Sequence, residues 1–293
     1  MNLTSPSQVK AWCIANDFHP NKTLGQNFLI DRNTLKATLD AAGVSSGCRV
    51  LEIGPGLGVL TEGLLSRGAR VTAVEKDTRL ASRLAEALGD PPELRVLAAD
   101  ALEVAWDALL AEGFDACVSN LPYSVGTRIL LDLAPHPLAP PVFVVLVQSE
   151  VAERFAAPPG RAGRSQAGVW LQLDYTVTPV RTVKASCFWP RPAVASALVR
   201  LDRQPCALTP TERVWFHDLT RYAFMHRRKQ LGGLLRKAPA PLGREEGALA
   251  VLFHSAGVDP LARAEQLTNT QWQSLARAFA EGVRGLGGEA VRG

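Results

Sequence analysis

Asn120-Leu121-Pro122-Tyr123 is the stretch whose residue types could do chemistry together. It follows the apolar run Phe114 to Val118, which reads as a buried strand, and precedes a helix-like segment that begins near Thr127. Open α/β sheets bind ligands at the carboxyl ends of their strands, which is where this stretch falls. Pro122 fixes its own φ and biases Leu121 towards extended geometry, so the Leu121 carbonyl can point outward instead of continuing a ladder. The side-chain oxygen of Asn120 and that carbonyl can then converge on one amino group. Tyr123 offers a flat face on which a base can stack. Those are the parts needed to grip an exocyclic amine on a purine. The plainer alternative is a strand that ends in a proline turn.

Three upstream segments bear on that choice. Arg49 to Ile53 reads as a strand that runs into Gly54-Pro55-Gly56-Leu57-Gly58, with a helix after it. Strand, glycine turn and helix let backbone amides approach a nucleotide-like ligand closely. The dinucleotide fingerprint places its third glycine three positions after the second. Here that position is Val59, and Gly58 comes early, so a ligand without a pyrophosphate fits better. The same mismatch, with no catalytic histidine near the motif, argues against a nicotinamide dehydrogenase. Arg70 to Glu75 is a second strand, ending in an acid about twenty residues past the first glycine, where Rossmann-like units hold a ribose diol. Leu94 to Ala98 is a third strand, followed by Asp100, whose carboxylate can accept from an adenine amino group.

Four successive strands thus deliver a glycine or polar group at one sheet edge, which implies a Rossmann-like α/β sheet. Val142 to Val147 adds a fully buried fifth strand. Val169 to Val177 and Thr182 to Ala185 resemble two more, and Ala197 to Leu201 a last one. The N-terminal part holds a short helix over Ser7 to Asn16 and a polar loop, Lys22 to Asp31, that could serve as a lid. The proline-flanked stretch Gln204 to Pro210 looks like a boundary, and the chain beyond it reads as helical. Three domains follow: residues 1–30 as N-terminal segment and lid, 31–205 as the sheet domain, and 206–293 as a smaller helical domain. The glycine-rich end after Val283 reads as disordered.

At 47% hydrophobic residues the chain can bury substantial cores, yet its longest apolar run is far too short to span a membrane. Five cysteines form no C-x-x-C pair, which points to reduced thiols in the cytoplasm, with neither a disulfide framework nor a metal site. The net charge is only +4, but Val151 to Lys237 holds fifteen Lys/Arg against five Asp/Glu. A basic half beside an acidic half suggests that one part grips a polyanion. Arg227-Arg228-Lys229 ends a helical segment, and three adjacent cations exceed what dipole compensation requires. Phosphate contact is the reading they favour.

With these pieces placed, the chain resembles the ribosomal RNA adenine N6,N6-dimethyltransferases, the kasugamycin-sensitivity family that acts on small-subunit RNA. The motifs that carry the resemblance span nearly the full length. They are Leu24 to Leu29, Leu51 to Gly58, Val74-Glu75, Asp100-Ala101, Asn120 to Tyr123, Gln148 to Arg154, Phe188 to Pro192 and Arg227 to Lys229. The resemblance implies a class I S-adenosylmethionine-dependent methyltransferase that dimethylates two adjacent adenosines in a 3'-terminal hairpin of 16S RNA, in an assembling subunit. It implies a cytoplasmic monomer without a membrane partner. Asn27, Leu29, Gly54, Glu75, Asp100 and Asn120 would line the cofactor site, together with their neighbours Gly56, Lys76 and Ala101. Asn120 to Tyr123 would be catalytic. Tyr123 and Phe188 would sandwich the target adenine, and Arg227, Arg228 and Lys229 would hold RNA.

Two segments depart from the family pattern, Ser165 to Val169 and Ser124 to Thr127. Altered RNA contacts, with the chemistry kept, are the expectation there. Two rival readings share the scaffold. An erythromycin-resistance-type methyltransferase would act on large-subunit RNA, although the length and helical tail favour the small-subunit family. A non-catalytic assembly factor would not need Glu75, Asp100 and Asn120 intact.

Overall fold

The computed structural model describes residues 2–21 and 24–287, with side chains as far as Gly282. Lys22 and Thr23 of the expected lid loop, and the last residues of the glycine-rich end, lie outside the described residues. The chain forms two compact units, residues 1–153 with 175–203, and residues 154–174 with 204–293.

The first unit opens with helix α1 (Pro6–Ala15) and the short strand β1 (Phe28–Leu29). Helix α2 (Arg32–Ala42) follows, started by Asp31, whose side chain accepts from the Thr34 amide. Strands and helices then alternate: β2 (Arg49–Ile53), α3 (Val59–Ser66), β3 (Arg70–Glu75), α4 (Thr78–Ala87), β4 (Leu94–Ala98), α5 (Trp106–Leu110), β5 (Ala116–Asn120), α6 (Gly126–Leu133) and β6 (Val142–Gln148). Helix α7 (Ser149–Ala156) carries the chain out of this unit. The chain returns as β7 (Tyr175–Val183), β8 (Phe188–Trp189) and β9 (Ser196–Arg203).

Seven strands make one sheet in the order β4-β3-β2-β5-β6-β9-β7. The first five are parallel, and β9 and β7 close that edge as antiparallel strands. A separate two-stranded ladder pairs Phe28 with Trp189 and Leu29 with Phe188. Parallel strands covered on both faces are mostly apolar, and β2, β5 and β6 are buried almost end to end, with Glu52 and Ser119 as buried polar exceptions. From β2 the chain winds outward through β3 and β4, then restarts on the other side with β5. The crevice of an open sheet lies at such a switch point, here between the ends of β2 and β5.

The second unit holds helix α8 (Gln166–Asp174), then α9 (Pro210–Met225), α10 (Leu231–Arg236), α11 (Glu246–Ala256) and α12 (Asn269–Gly287). Thr209 and Glu212 form a capping box at the start of α9, with Pro210 in the first turn. Phe216, Leu219, Leu235, Trp272, Leu275 and Phe279 are buried in a core that also takes Val169 and Leu173 from α8.

Two expectations are corrected here. The residues read as a strand from Val169 to Val177 are helix as far as Asp174, and β7 begins only at Tyr175. Val169, Leu171 and Leu173 alternate like a half-buried strand, but a short apolar run cannot be told from a buried helix by period alone. Ser165 starts the helix by accepting from the Gly168 amide at 3.2 Å, as N-caps do. The boundary is the other correction: residues 154–174 belong with the helical unit, which is therefore not one continuous stretch from 206. Helix α12 also continues past Val283 to Gly287.

Candidate active site

The strand ends β2, β3, β4 and β5 bring Gly54, Glu75, Asp100 and Asn120 around one cavity. Asn27, Leu29, Gly56, Lys76, Ala101, Leu121, Pro122 and Tyr123 line it too. Every cofactor and catalytic residue named from the sequence is thus brought together in the first unit.

Glu75 is only 6% exposed. One of its oxygens accepts from the Gly56 amide at 3.0 Å and the other from the Asp77 amide at 2.9 Å. Burial raises its pKa above the usual carboxylate range, and the two backbone bonds oppose that rise. The Gly56 amide is available because this residue has φ +59°, and a Cβ there would stand 3.0 Å from the Phe28 ring. A side chain at position 56 is therefore disfavoured on two counts, backbone strain and crowding against Phe28.

Asp100 accepts from Lys76 at 2.6 Å and from the Leu102 amide at 3.0 Å. The Lys76 hydrogen bond and charge hold its pKa below the ordinary value. Lys76 is an exposed residue, so its contribution here is to orient the Asp100 side chain, which lines the cavity with it.

Asn120 ends β5, and its Nδ2 donates to the Asn27 carbonyl at 2.9 Å. That bond assigns the amide: the nitrogen faces the N-terminal segment, and Oδ1 is left as the acceptor. Among the described residues neither Asn120 Oδ1 nor the Leu121 carbonyl accepts a hydrogen bond. The next turn closes where the Pro122 carbonyl accepts from the Val125 and Gly126 amides, and α6 follows. The departure at Ser124 to Thr127 thus forms an ordinary entry to a helix.

Residues 25–27 touch three different parts of the site. A Cβ on Gly25, which has φ +68°, would lie 3.3 Å from the Tyr123 amide nitrogen. Gln26 donates to Asp77 at 3.0 Å, and Asn27 holds Asn120. Asp77 is 7% exposed and also accepts from Arg79. Burial alone would raise its pKa, but the hydrogen bonds from Arg79 and Gln26 hold it below the usual value. Sequence reasoning missed Asp77, although an aspartate before Thr78-Arg79-Leu80 is the kind of residue that caps a helix.

Tyr123 lines the cavity, whereas Phe188 does not. Phe188 sits in the β1–β8 ladder and is 2% exposed, so its ring faces are covered in this conformation. Arg227, Arg228 and Lys229 lie in the other unit, just after α9. All three are exposed, but Arg227 is already paired with Glu265 at 2.7 Å and donates to the Ala162 carbonyl.

Glu52 was also missed. It is 1% exposed, lines the cavity and accepts from Thr61 Oγ1 at 2.7 Å. Burial, with a smaller push from Glu75, raises its pKa to about 8. Folded protein therefore binds a proton that the unfolded chain has lost between about pH 4.5 and 8, and stability falls as pH rises through that window. The slope from this one group is at most about 1.4 kcal/mol per pH unit. In urea titrations at several pH values, Glu52→Gln should flatten the decline; an unchanged slope would contradict the assignment.

A family model described as ribosomal RNA adenine dimethylase matches residues 17–281. The "Ribosomal RNA small subunit methyltransferase A" of Opitutus terrae is 40% identical over 262 residues, 87% of this chain and 92% of that protein. The protein of the same name from Deinococcus radiodurans is 39% identical over 94% of this chain and 91% of its own length. Among solved structures, a dimethyladenosine transferase from Plasmodium falciparum matches with TM-score 0.72 and 25% identity, covering 84% of this chain and 95% of that one. The 23S rRNA methyltransferase ErmE matches with TM-score 0.64 and 29% identity, covering 86% and 99%.

Proposed function

The chain belongs to the ribosomal RNA adenine dimethylase family, and on that premise we propose that it dimethylates N6 of two adjacent adenosines in a 3'-terminal hairpin of 16S RNA, with S-adenosylmethionine as donor. The substrate would be an assembling small subunit, met in the cytoplasm by a monomer. Small-subunit RNA is favoured over large-subunit RNA by the names of relatives at 39–40% identity, against 29% for ErmE. No helix among the described residues is long and apolar enough to cross a membrane.

The observation that carries the reading is the amide of Asn120. With its nitrogen committed to Asn27, Oδ1 and the Leu121 carbonyl form a pair of acceptors at the end of β5. Two acceptors suit an amine with two N–H groups, and no amino acid side chain is needed to remove a proton beforehand. The cavity also fits the donor. Glu75 keeps lone pairs for a ribose diol beyond its two backbone bonds, Asp100 can accept from an adenine amine, and the residue-56 backbone can approach closely because no Cβ intervenes. S-adenosylmethionine, when bound, supplies an electrophilic methyl carbon on a sulfonium.

The rest of the work is positional. Adenine N6 is a weak nucleophile because its lone pair is delocalised into the ring. Bonds from its hydrogens to Asn120 Oδ1 and the Leu121 carbonyl favour a pyramidal nitrogen with the lone pair aimed inward. The adenine must leave its stack to reach them, and Tyr123 replaces lost stacking at about 1–3 kcal/mol. After transfer the nitrogen is cationic and its proton passes to water. In the second round only one N–H remains, so Asn120 and Leu121 share a single hydrogen bond. Arg228 and Lys229 would hold the RNA backbone, with Arg227 engaged by Glu265.

The test is labelled methyl transfer to unmethylated small subunits, with large subunits and duplex DNA in parallel and mass spectrometry of the digested product. N6,N6-dimethyladenosine in the small subunit alone is the expected result. Label in the large subunit would move the protein to the resistance type, and tight subunit binding without label would make it an assembly factor.

A further inference from the structure

Tyr123 makes one contact that a stacking role does not require. Its hydroxyl is hydrogen-bonded to Ser196 Oγ. Ser196 is 0% exposed and opens β9, where it stands opposite Gln148 of β6 and Val183 of β7. Two ladders therefore fix its backbone in the sheet. Tyr123, in contrast, sits in a turn, one residue past Pro122 and against Gly25 of the N-terminal segment. A phenol tied only through its backbone can rotate about χ1 and χ2. Tied also at its hydroxyl to a strand, it keeps one plane.

The hydroxyl has no acid–base task that would explain the bond otherwise. Burial pushes the Tyr123 pKa above its ordinary value, so the phenol keeps its proton at neutral pH. Its partner is a serine, which is neither acid nor base in that range.

We propose that Ser196 is a positioning residue for the reaction: it sets the plane of the Tyr123 ring and thereby the angle at which the target adenine presents N6. The proposal rests on the reading of Tyr123 as the stacking partner. It has a consequence specific to dimethylation. In the first round two N–H groups are held by Asn120 and Leu121, and they fix the amine even if the ring tilts. In the second round one N–H remains, and the stacking plane supplies more of the aim. Loss of the Ser196 bond therefore falls mainly on the second methyl.

The experiment compares Ser196→Ala, Tyr123→Phe, the double variant and Ser196→Thr by methyl transfer to small subunits. Mono- and dimethyladenosine are counted separately, and S-adenosylmethionine affinity is measured by calorimetry. Each single variant should slow the second methylation by roughly ten-fold, the loss of one buried hydrogen bond. Monomethyladenosine should accumulate, and cofactor affinity should stay within about two-fold. The double variant should be no slower than the slower single, because both remove the same bond, and Ser196→Thr should restore the product ratio. Multiplying effects in the double variant, or an unchanged mono-to-dimethyl ratio, would overturn the proposal. If Ser196→Ala does not fold, Tyr123→Phe removes the bond from its partly exposed side and decides alone. Tyr123→Ala separates the premise from the proposal: wild-type rates in that variant would remove the stacking role itself, whereas an inactive Tyr123→Ala with an unaffected Tyr123→Phe would remove only the part given to Ser196.

Discussion

Asn120→Ala should slow methyl transfer by roughly 10²–10³-fold, the usual loss when one preorganised polar group at a reacting centre is removed. The truncation deletes the Oδ1 acceptor and also releases the Asn27 carbonyl from its 2.9 Å bond. Asn120→Asp separates these two effects. An aspartate keeps an acceptor of the same reach, but its second oxygen would take the place of Nδ2 and face the Asn27 carbonyl, acceptor against acceptor. The repulsion turns the carboxylate or displaces residues 25–27, so the aspartate variant should lose nearly as much as the alanine one. Single-turnover rates with saturating cofactor are the measurement. An aspartate variant near wild-type speed would show that the orientation supplied by Asn27 is dispensable, and the assigned direction of the amide would fall with it.

The second large effect is expected in the helical unit, on stability. Arg164 is 1% exposed and has no carboxylate partner among the described residues; it donates to the Ala157 carbonyl, Gln172 Oε1 and Asn269 Oδ1. Its Nε has no partner among the described residues, and burial depresses its pKa to about 10. Two opposing quantities decide the outcome of Arg164→Met. Removing a buried charge relieves its desolvation, but three acceptors on three separate segments lose their common donor. Each orphaned buried acceptor costs about 1–3 kcal/mol. Ala157 retains a long bond from Gln172 at 3.4 Å, so its loss is partial. A net destabilisation of about 2–4 kcal/mol follows, read as a lower urea midpoint. Arg164→Lys should recover little, since one ammonium cannot reach all three acceptors in the planar fork geometry. A methionine variant as stable as wild type would mean that the acceptors re-pair locally.

The cavity residues were legible in the sequence for a simple reason. Gly54, Glu75, Asp100 and Asn120 each end or follow a short apolar run, and the parallel order of those runs fixes their ends on one edge. What could not be read depends on contacts distant in sequence. The direction of the Asn120 amide is set by residue 27, and the bond to Tyr123 comes from residue 196. Gln26 and Asp77 meet only in the folded chain. Helix α8 was misread because Val169, Leu171 and Leu173 are buried around most of the helix, which erases the one-sided pattern that marks an amphipathic helix. The motif places Phe188 beside Tyr123, yet Phe188 is 2% exposed in a ladder of two-residue strands that no periodicity could announce.

The order of strands also has a consequence for how the chain is made. Residues 154–174 leave the ribosome before β7 and β9, although the sheet unit needs those strands and the helical unit owns the earlier segment. Strand β6 has an open edge until Ser196 to Arg203 emerge to pair with it. Meanwhile α8 carries Val169 and Leu173 with no core to enter until α9 and α12 are synthesised. Neither unit can be finished before translation of the other has begun. The ring of Tyr123 gains its hydroxyl partner only after 196 of the 293 residues are complete, so a nascent chain released earlier would carry every motif of the cavity and lack the strand that steadies its aromatic face.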